Sequence, residues 1–456
     1  MRGFFKAGCR FSGCGWLLTA FLLLGAASGW AESPLATTGH NREATVHTNP
    51  PPWAAGQSLT LEPALRRALA CDSRIASLKA AAEVARQERR AATDLKDPSV
   101  AGASRSLSRN DDISSEDLDN ESKLSAEFYV PNPWLMIPRV DARTADYEAA
   151  KANLEAGIWL VRCQVIQLFA QLDYLTNELA YNADQVRFSG EVLNAMQARL
   201  KQGAVTASEL MTPSRQFLQF QNELDRTSHN YQLARRQLAA LLDIAPGSFE
   251  LATNALPQPP SEPGLSFQEA ETLADRSRYD LAALRWGAQA AQSSYHEVRN
   301  EAVPWIKDVQ AGVLGRSETY WVGLSVNVPI FTWTKNHAAD AARAKATLAS
   351  VEETNCVTLI RQELHDAIDE VDETRRQEAR NELNVKPMIE TMQQALASLK
   401  ASANVMPEQV AAAELQLIET LRFDLDTRWQ YELALFELER TLGAPLSQSH
   451  PIAPPR

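Results

Sequence analysis

Hydrophobic residues recur at every seventh position over long parts of this chain. One run of the repeat consists of Val165, Leu172, Leu179, Val186, Leu193 and Leu200. A second run begins after a short break and consists of Leu210, Phe217, Leu224, Tyr231 and Leu238. A heptad repeat that persists this long predicts helices packed side by side along their length. Because the break is short, the two runs predict an antiparallel helical hairpin.

The same pattern predicts two long helices and four helices of about half that length. The long helices are expected at residues 139–201 and 335–401, and Pro387 should kink the second one. The shorter helices are expected at residues 59–96, 206–243, 265–302 and 408–442. At about 1.5 Å per residue a long helix extends for about 95 Å, and two short helices stacked end to end would match it. Such a bundle is a rod or a tube rather than a globule.

The break between the heptad runs has the residues of a helix end followed by a helix start. Gly203 can adopt the left-handed conformation that closes a helix. Thr206 and Glu209 have the spacing of a capping box for the next helix. In the second half of the chain, Asn404 is the candidate left-handed residue, and Pro407 suits a first helical turn.

Two segments change to an alternating pattern. The apolar positions of these segments are Leu124, Ala126, Phe128 and Val130 in the first, and Tyr320, Val322, Leu324, Val326 and Val328 in the second. They predict β-hairpins at residues 99–130 and 305–328, with strands of a length that suits a tilted membrane strand. Aromatic residues near the strand ends are expected to form a girdle at one bilayer boundary. They are Trp134, Trp305, Trp321, Phe331 and Trp333.

The chain contains two copies of one unit. Leu59 and Leu265 open similar segments, and the same offset relates Ile75 to Leu281. Proline-rich stretches, which cannot continue a helix, separate the copies. The expected organisation is a signal peptide at residues 1–31, a proline-rich extension at 32–56, a first repeat at 57–250, a linker at 251–264, a second repeat at 265–445 and a disordered tail at 446–456.

The first residues have the pattern of a secretory signal peptide. A basic start precedes an apolar run at residues 16–27, and Gly29 and Ala31 offer a small-residue cleavage site. The run is too short to cross a bilayer of about 30 Å as a helix, and an uncleaved anchor is the alternative. No later stretch approaches about 18 consecutive apolar residues, so any membrane crossing falls to the strands.

Four strands per chain are too few to close a barrel, and an open sheet edge is not tolerated in lipid. Three copies of the chain would together supply twelve strands. We therefore predict a mainly α-helical fold with a small antiparallel β part, assembled as a trimeric α-barrel with a twelve-stranded β-barrel. Because the first hairpin has few apolar residues, a small soluble β cap is the alternative.

Composition and charge exclude several classes of function. The net charge of -12 and the lack of a basic stripe argue against nucleic-acid binding. The sequence has no glycine-rich phosphate loop, Cys-x-x-Cys pair or nucleophile elbow. His365 and Asp369 have a metal-ligand spacing on one helix face, but a surface pair is the simpler interpretation. We therefore expect no enzyme activity, no cofactor and no metal site.

Three motifs, in this order, resemble the TolC-type outer-membrane factor family. They are residues 59–65, repeated from Leu265, residues 198–205 at the hairpin tip, and residues 325–331 before the second long helix. No single motif is specific to the family, but the ordered and duplicated set of motifs is specific. The resemblance covers about residues 57–445. It implies a homotrimer with a twelve-stranded barrel among outer-membrane lipid and a helical barrel across the periplasm. Such ducts work with a periplasmic adaptor (membrane fusion protein) and an inner-membrane pump.

The resemblance also implies roles for residues at the hairpin tips. Carried over position by position, the adaptor-docking and gating tip falls on Arg199, Leu200, Gly203 and Val205. The acidic ring at the periplasmic entrance of some members corresponds to Glu408, and Glu209 is its equivalent in the first repeat. A solvated carboxylate at a helix start is the alternative interpretation. The second tip, at residues 398–402, lacks the arginine and the glycine of this pattern.

The resulting hypothesis is an outer-membrane exit duct of a tripartite efflux or type I secretion system. It would extend into the periplasm and act as a passive conduit for substrates that the pump delivers. The alternative is a periplasmic coiled-coil scaffold with a reduced, non-channel β cap, and strand content and membrane fractionation separate the two. A third interpretation, a secreted hydrolase with helical accessories, lacks any candidate site in the sequence.

Overall fold

A computed structural model describes residues 57–103, 123–251, 265–314, 319–328, 332–402 and 406–446. The expected signal peptide and proline-rich extension lie outside the described residues. So do Asn404, nearly all of the linker and nearly all of the tail. The boundaries expected for those segments therefore stay predictions.

The described residues form eight helices and six strands. The helices are α1 (Leu61–Cys71), α2 (Ser73–Ala91), α3 (Pro133–Lys201), α4 (Ala207–Leu242), α5 (Phe267–Ser277), α6 (Tyr279–Asn300), α7 (Thr332–Ala401) and α8 (Pro407–Leu442). The strands are β1 (Gln57–Leu59), β2 (Ser99–Ala103), β3 (Lys123–Tyr129), β4 (Phe249–Leu251), β5 (Trp305–Leu314) and β6 (Thr319–Asn327). The fold is mainly helical with a small antiparallel sheet, as the sequence predicts.

Two long helices organise the bundle. Helix α3 has 69 residues and α7 has 70, so each extends for about 100 Å. Helices α2 and α4 both pack on α3, while α6 and α8 both pack on α7 and also contact α3. Helix α7 continues through Pro387 as one helix. Helix α3 begins at Pro133, earlier than predicted, because the Asn132 side chain accepts a hydrogen bond from Trp134 N and caps it.

The short helices are stacked end to end, as their lengths predict. In the first repeat Arg67 Nε donates a 2.8 Å hydrogen bond to the carbonyl oxygen of Leu242, the last residue of α4. In the second repeat Ser277 Oγ donates to the carbonyl oxygen of Leu442, the last residue of α8. These bonds satisfy carbonyl groups that a helix end leaves unpaired. The first stack therefore runs beside α3, and the second runs beside both α7 and α3.

The prediction of unbroken helices at residues 59–96 and 265–302 is wrong. The chain leaves the helical conformation at Asp72 and at Arg278, which both have extended backbone angles. The hydrophobic pattern continues through both positions, and only the polar contacts described next distinguish a bend from a helix interior.

The two bends occupy equivalent places in the two repeats but carry opposite charges. Asp72 caps α2 by accepting a 2.7 Å bond from Arg74 N, and its carboxylate also pairs with the Arg74 guanidinium. In the second repeat Arg278 pairs with Asp280 at 2.6 Å and with Glu363 of α7 at 3.0 Å. The order of acid and base is thus exchanged between the copies.

A small parallel sheet of β1 and β4 also joins the ends of the first repeat. Leu59 pairs with Leu251, and Gln57 with Phe249. The side chains of Leu59 and Phe249 are buried in the hydrophobic core of that repeat. Strands of three residues are too short to produce an alternating pattern, so the sequence did not predict them.

Each repeat has its own hydrophobic core, built where the heptad positions predict it. The first core includes the buried Val161, Val165, Leu172, Leu175 and Leu238. The second includes the buried Ile360, Leu364, Leu435, Leu438 and Leu442. The cores lie where α1 or α5 joins the bundle, away from the hairpin tips. Side-chain packing there fixes the bundle most strongly.

Nearer the tips, buried polar groups replace apolar ones. Asn182 Nδ2 of α3 donates a 2.9 Å bond to Thr227 Oγ1 of α4. At the equivalent place in the second repeat, Asn381 Nδ2 of α7 donates a 2.9 Å bond to Asp424 Oδ1 of α8. A buried asparagine in a coiled coil fixes the register of its partners at some cost in stability. Each hairpin therefore carries one polar register contact.

Carboxyl groups also approach each other where α3, α7 and α8 meet. Burial raises the pKa of Glu432, and the charges of Asp173 and Glu378 act in the same direction. The pKa of Asp173 and that of Glu378 are raised by burial as well. A carboxyl whose pKa is raised by folding stabilises the protein at low pH, and this contribution is lost as the pH rises through the raised pKa.

We expect Glu432→Gln to raise the thermal unfolding midpoint at pH 7.5, because the amide removes the cost of a half-buried charge. The gain should shrink as the pH falls and vanish below about pH 4, where the carboxyl is protonated in both states. Circular dichroism of the purified protein measures this. The control is Glu419→Gln, at an exposed position on the same helix. An equal midpoint for wild type and Glu432→Gln at pH 7.5 contradicts the prediction.

Candidate membrane sheet and hairpin tips

The two predicted hairpins form one antiparallel sheet in the order β2-β3-β5-β6. Strands β3 and β5 join the hairpins, and Phe128 lies opposite Val309 in their register. A bulge at Lys307 interrupts the pairing of β5 with β6 near the helices. The hairpins expected at residues 99–130 and 305–328 are therefore confirmed for the described residues.

One face of this sheet is apolar and uncovered. Nine large side chains on it are between 36% and 79% exposed. They are Val100, Leu124, Phe128, Ile306, Val313, Tyr320, Val322, Leu324 and Val326. A contiguous apolar patch of this extent marks a surface that contacts lipid or another protein.

The opposite face is polar. Its residues include Ser99, Ser125, Glu127, Gln310, Ser325 and Asn327. Strands that are apolar on one side and polar on the other are typical of membrane barrels with a water-filled interior. In the described part of the sheet, β2 and β6 each pair on one side only. Their outer backbone groups need a further strand before the sheet can enter lipid.

The predicted aromatic girdle is wrong for two of its members. Trp305 and Trp321 alternate with the apolar residues, so they lie on the polar face. The parity of a strand decides this, because neighbouring residues point to opposite faces. Trp134 is 58% exposed at the start of α3. The side chains of Phe331 and Trp333 lie outside the described residues.

Polar contacts fix the sheet on the helices. Arg139 of α3 pairs with Glu297 of α6 at 2.7 Å, and Asn300 Nδ2 donates a 2.8 Å bond to the carbonyl oxygen of Trp134. The indole Nε1 of Trp305 donates to the carbonyl oxygen of Val130 at 3.3 Å. These contacts tie the starts of α3 and β5 together where sheet and bundle meet.

At the other end of the bundle, the tip between α3 and α4 has the predicted helix-closing turn. Gly203 has a φ of 75°, a conformation that costs any residue with a Cβ. Its N–H donates to the carbonyl oxygen of Leu200, and Ala204 N donates to that of Arg199, both at 3.0 Å. These are the two bonds of a Schellman motif. The turn therefore presents a fixed backbone shape at the tip.

Glu209 completes the predicted capping box of α4. Its carboxylate accepts a 2.8 Å bond from Thr206 N, and Thr206 Oγ1 accepts one from Glu209 N. These hydrogen bonds hold the pKa of Glu209 below its ordinary value. The Glu209 carboxylate thus caps its own helix, as the alternative interpretation of a carboxylate at a helix start expects.

Glu408, at the start of α8, pairs with Arg199 at the end of α3. Arg199 Nη2 also contacts Met406 Sδ, directly before α8. The side chain of Glu408 is 18% exposed and that of Arg199 35% exposed. The structure therefore brings together two predicted site residues from different repeats, one assigned to docking and one to the entrance.

The remaining predicted tip residues carry no charged side chain. Leu200 and Val205 are partly buried, and Gly203 is exposed. The entrance role of Glu408 and Glu209, and the docking roles of all four tip residues, stay predictions. Part of the second tip lies outside the described residues, although Pro407 begins α8 as expected.

A charged network between the hairpins was not predicted. Arg422 of α8 pairs with Glu178 of α3 at 3.1 Å and with Glu223 of α4 at 2.9 Å. Burial raises the pKa of Glu178, while the charge of Arg422 acts in the opposite direction. Isolated charges in a heptad give no sign of a partner on a helix of the other repeat.

An aromatic pair extends this network. The rings of Tyr174 on α3 and Trp429 on α8 are stacked, with centroids 5.0 Å apart. Tyr174 Oη donates a 2.8 Å bond to Asp426 Oδ1. Together with the network at Arg422 and the Arg199–Glu408 pair, these contacts make the seam between α3 and α8 rich in polar contacts. Apolar packing holds the seams within each repeat.

Other chemistry is not found among the described residues. They contain no group of three or more histidine, cysteine, aspartate or glutamate residues that could hold a metal ion. No described helix combines the length and the apolar character that a bilayer crossing requires.

Solved structures with a similar fold include outer-membrane proteins and channels. The chain aligns with CusC at 17% identity and a TM-score of 0.66, covering 86% of this chain and 94% of CusC. It aligns with the outer membrane protein VceC of Vibrio cholerae at 16% identity and a TM-score of 0.66, covering 85% of this chain and 97% of VceC. It aligns with the outer-membrane channel OprN at 15% identity and a TM-score of 0.66, covering 92% of this chain and 99% of OprN.

Comparison with protein-family models and with curated proteins gave no match. The structural similarity extends over nearly the whole length of both chains in each pair. The chain therefore shares the fold of these proteins, and the predicted mainly α-helical fold with a small antiparallel β part is confirmed for the single chain.

We expect Arg422→Met to lower the free energy of unfolding by about 2 kcal/mol or more, because it leaves Glu178 buried without its cation. The further substitution Glu178→Leu should recover part of the loss, since a buried pair replaced by apolar groups is often neutral. Chemical denaturation measures both. The control, Arg187→Met, removes an exposed pair with Asp184 and should cost at most about 0.5 kcal/mol. Equal losses at the two arginines contradict the interpretation.

Proposed function

We propose that the protein is a TolC-type outer-membrane exit duct. Three identical chains would complete a twelve-stranded β-barrel in the outer membrane and an α-helical barrel across the periplasm. The duct would serve as a passive conduit for substrates that an inner-membrane pump delivers through a periplasmic adaptor. It would carry out no catalysis, since a gradient made elsewhere moves the contents.

One observation supports this proposal most directly: the four-stranded sheet is apolar and exposed on one face, and polar on the other. A sheet of this kind is stable when lipid covers the apolar face and water fills the space behind the polar one. Its unpaired edges call for neighbouring strands, and identical copies supply them in a closed ring. Twelve strands leave a lumen wider than the side chains of the polar face fill.

The helices support the assembly as well. Exposed apolar side chains follow the short helices beside α3, and others follow α7. The first group is Val84, Met211, Leu218 and Leu233, and the second is Leu348, Val351, Leu359 and Leu383. If α7 of one copy packs against α2 and α4 of the next, both groups become buried and the bundle closes into a tube. A tube of about 100 Å reaches far into the periplasm.

The tips are the proposed contact with the adaptor. Arg199, Leu200, Gly203 and Val205 lie on the rigid α3–α4 turn, and the resemblance assigns docking to this turn. Glu408 and Glu209 lie on the neighbouring helix starts, at the periplasmic entrance of the proposed tube. The pair of Arg199 with Glu408 would hold the two hairpins of one chain together at that entrance.

The competing proposal is a periplasmic coiled-coil scaffold with a non-channel β cap. Such a cap would leave nine large apolar side chains of the sheet in water, with exposures up to 79%. Soluble proteins rarely expose an apolar patch this continuous. The exit duct is therefore the function that the sheet supports better.

Adjacent residues on β6 provide a test of the membrane sheet. Leu324 is 60% exposed on the apolar face, and Ser325 lies on the polar face. We expect Leu324→Arg to remove the protein from the outer-membrane fraction, because an arginine facing lipid near the midplane costs about 2–4 kcal/mol per chain. Ser325→Arg should be tolerated.

Fractionation and the heat resistance of the assembly on gels measure this difference. A wild-type protein that purifies from detergent as a monomer, or that stays in the soluble periplasmic fraction, contradicts the exit duct. Equal tolerance of the two arginines contradicts the assignment of the faces.

The entrance contact has a test of its own in planar bilayers. We expect Glu408→Gln and Arg199→Ala each to change the channel conductance about two- to five-fold, because an ion pair of this exposure contributes up to about 1 kcal/mol to holding the two hairpins together at the tip. The exchanged pair, Arg199→Glu with Glu408→Arg, should restore the conductance of the wild type. Glu209→Gln is the control at the capping box. If the exchanged pair has the same conductance as the single variants, the Arg199–Glu408 pair has no role at the entrance.

A further inference from the structure

The polar face of the sheet carries a tryptophan away from the helices. Trp321 on β6 lies directly opposite Gly312 on β5, and Gly323 is the next residue on the same face of β6. Ser125 on β3 and Ala101 on β2 continue this row across the sheet. Small residues therefore lie opposite the indole and next to it on this face.

The two glycines make room for the ring to lie against the sheet. A Cβ atom on Gly312 would lie 2.6 Å from Trp321 Nε1 and 2.7 Å from the carbonyl oxygen of Leu124. A Cβ atom on Gly323 would lie 3.1 Å from Trp321 Cζ3. A glycine inside a strand marks a close approach of another group, and here the group is the indole. The ring lies over both glycines, and Trp321 stays partly exposed.

A carboxylate lies on the same face. Glu127 on β3 pairs with Gln310, which in turn lies opposite Gly323. Spacings of about 4.8 Å between strands and 3.4 Å per residue place the Cα atoms of Glu127 and Trp321 about 12 Å apart. Ser99 Oγ donates a 3.3 Å hydrogen bond to Glu127 Oε2.

We propose that Trp321 and Glu127 form a contact site for organic cations that carry aromatic or alkyl groups. The inference rests on the proposed function, because it takes the polar face as the wall of the lumen. An indole face attracts a cation held within about 6 Å of its ring, and the carboxylate supplies the opposite charge. The span between the two suits an organic molecule better than a metal ion. In a trimer the site occurs three times at one level of the barrel.

The experiment is block of channel current in planar bilayers by tetrabutylammonium. Trp321→Leu keeps an apolar side chain but removes the ring face, and the half-blocking concentration should rise about two- to five-fold. Trp321→Phe keeps a ring and should retain most of the block. Glu127→Gln removes the charge and should also raise the half-blocking concentration, which provides a second variant independent of the indole.

The matched control is Tyr320→Leu. Tyr320 is the neighbouring residue on β6, but it is 78% exposed on the opposite, apolar face. The half-blocking concentration of this variant should equal that of the wild type. Gly312→Ala displaces the indole and should weaken the block, but it should add little in a chain that already carries Trp321→Leu.

Two outcomes separate this inference from the proposed function. If wild-type channels conduct but Trp321→Leu and Glu127→Gln are blocked as strongly as the wild type, the cation site is wrong and the duct stands. If Tyr320→Leu weakens the block as much as Trp321→Leu, the faces are assigned wrongly and the site is overturned. A wild-type protein that forms no conducting channel overturns the exit duct and the cation site together.

Discussion

The backbone hydrogen bonds at the edges of one small sheet constrain everything else in this protein. Strands β2 and β6 each pair on one side only in the described part of the sheet, and the apolar face between them is exposed. In such a sheet, the apolar face needs lipid or protein packed against it, and the edge strands need further strands to pair with. The long helices hold the sheet at one end of the bundle, because α3 and α7 begin directly after the hairpins and extend for about 100 Å from them. In the proposed trimer, the same neighbouring chain pairs with the sheet edge and packs against the helices.

The two kinds of seam in the bundle have different physical characters. Within each repeat, buried leucine and valine side chains hold the helices together, and one buried asparagine fixes their register. Between the repeats, α3 and α8 meet through the ion pairs of Arg422 and Arg199 and the stacked rings of Tyr174 and Trp429. Charged contacts depend on geometry and on salt more strongly than apolar packing does. Each hairpin is therefore expected to behave as a unit, and the seam between hairpins as the adjustable contact.

The sequence predicted the features that periodicity encodes. The heptads of the first repeat predicted α3, α4 and the seam between them, and the duplication extended this to the second repeat. The helix lengths predicted the stacking of the short helices, and the capping residues Gly203, Thr206 and Glu209 predicted the tip. The bends at Asp72 and Arg278 were missed because the apolar pattern continues through them, and only the ion pairs of these two residues distinguish the bends. The partners of Arg422 were missed for the same reason, since a heptad does not state which surface helix lies opposite. Trp305 and Trp321 were misplaced because composition was given more weight than strand parity.

The exposed sheet has a consequence for how the protein reaches its final state. A chain newly released into the periplasm with this fold would carry nine uncovered apolar side chains and two reactive strand edges, a combination that favours aggregation. In the proposed duct, association of the three chains and insertion into the bilayer are expected to be closely coupled in time, because association pairs the strand edges and insertion covers the apolar face. Holding chaperones would recognise the immature form by this sheet, and a shortage of them would reduce the yield of mature protein before it affected the helices.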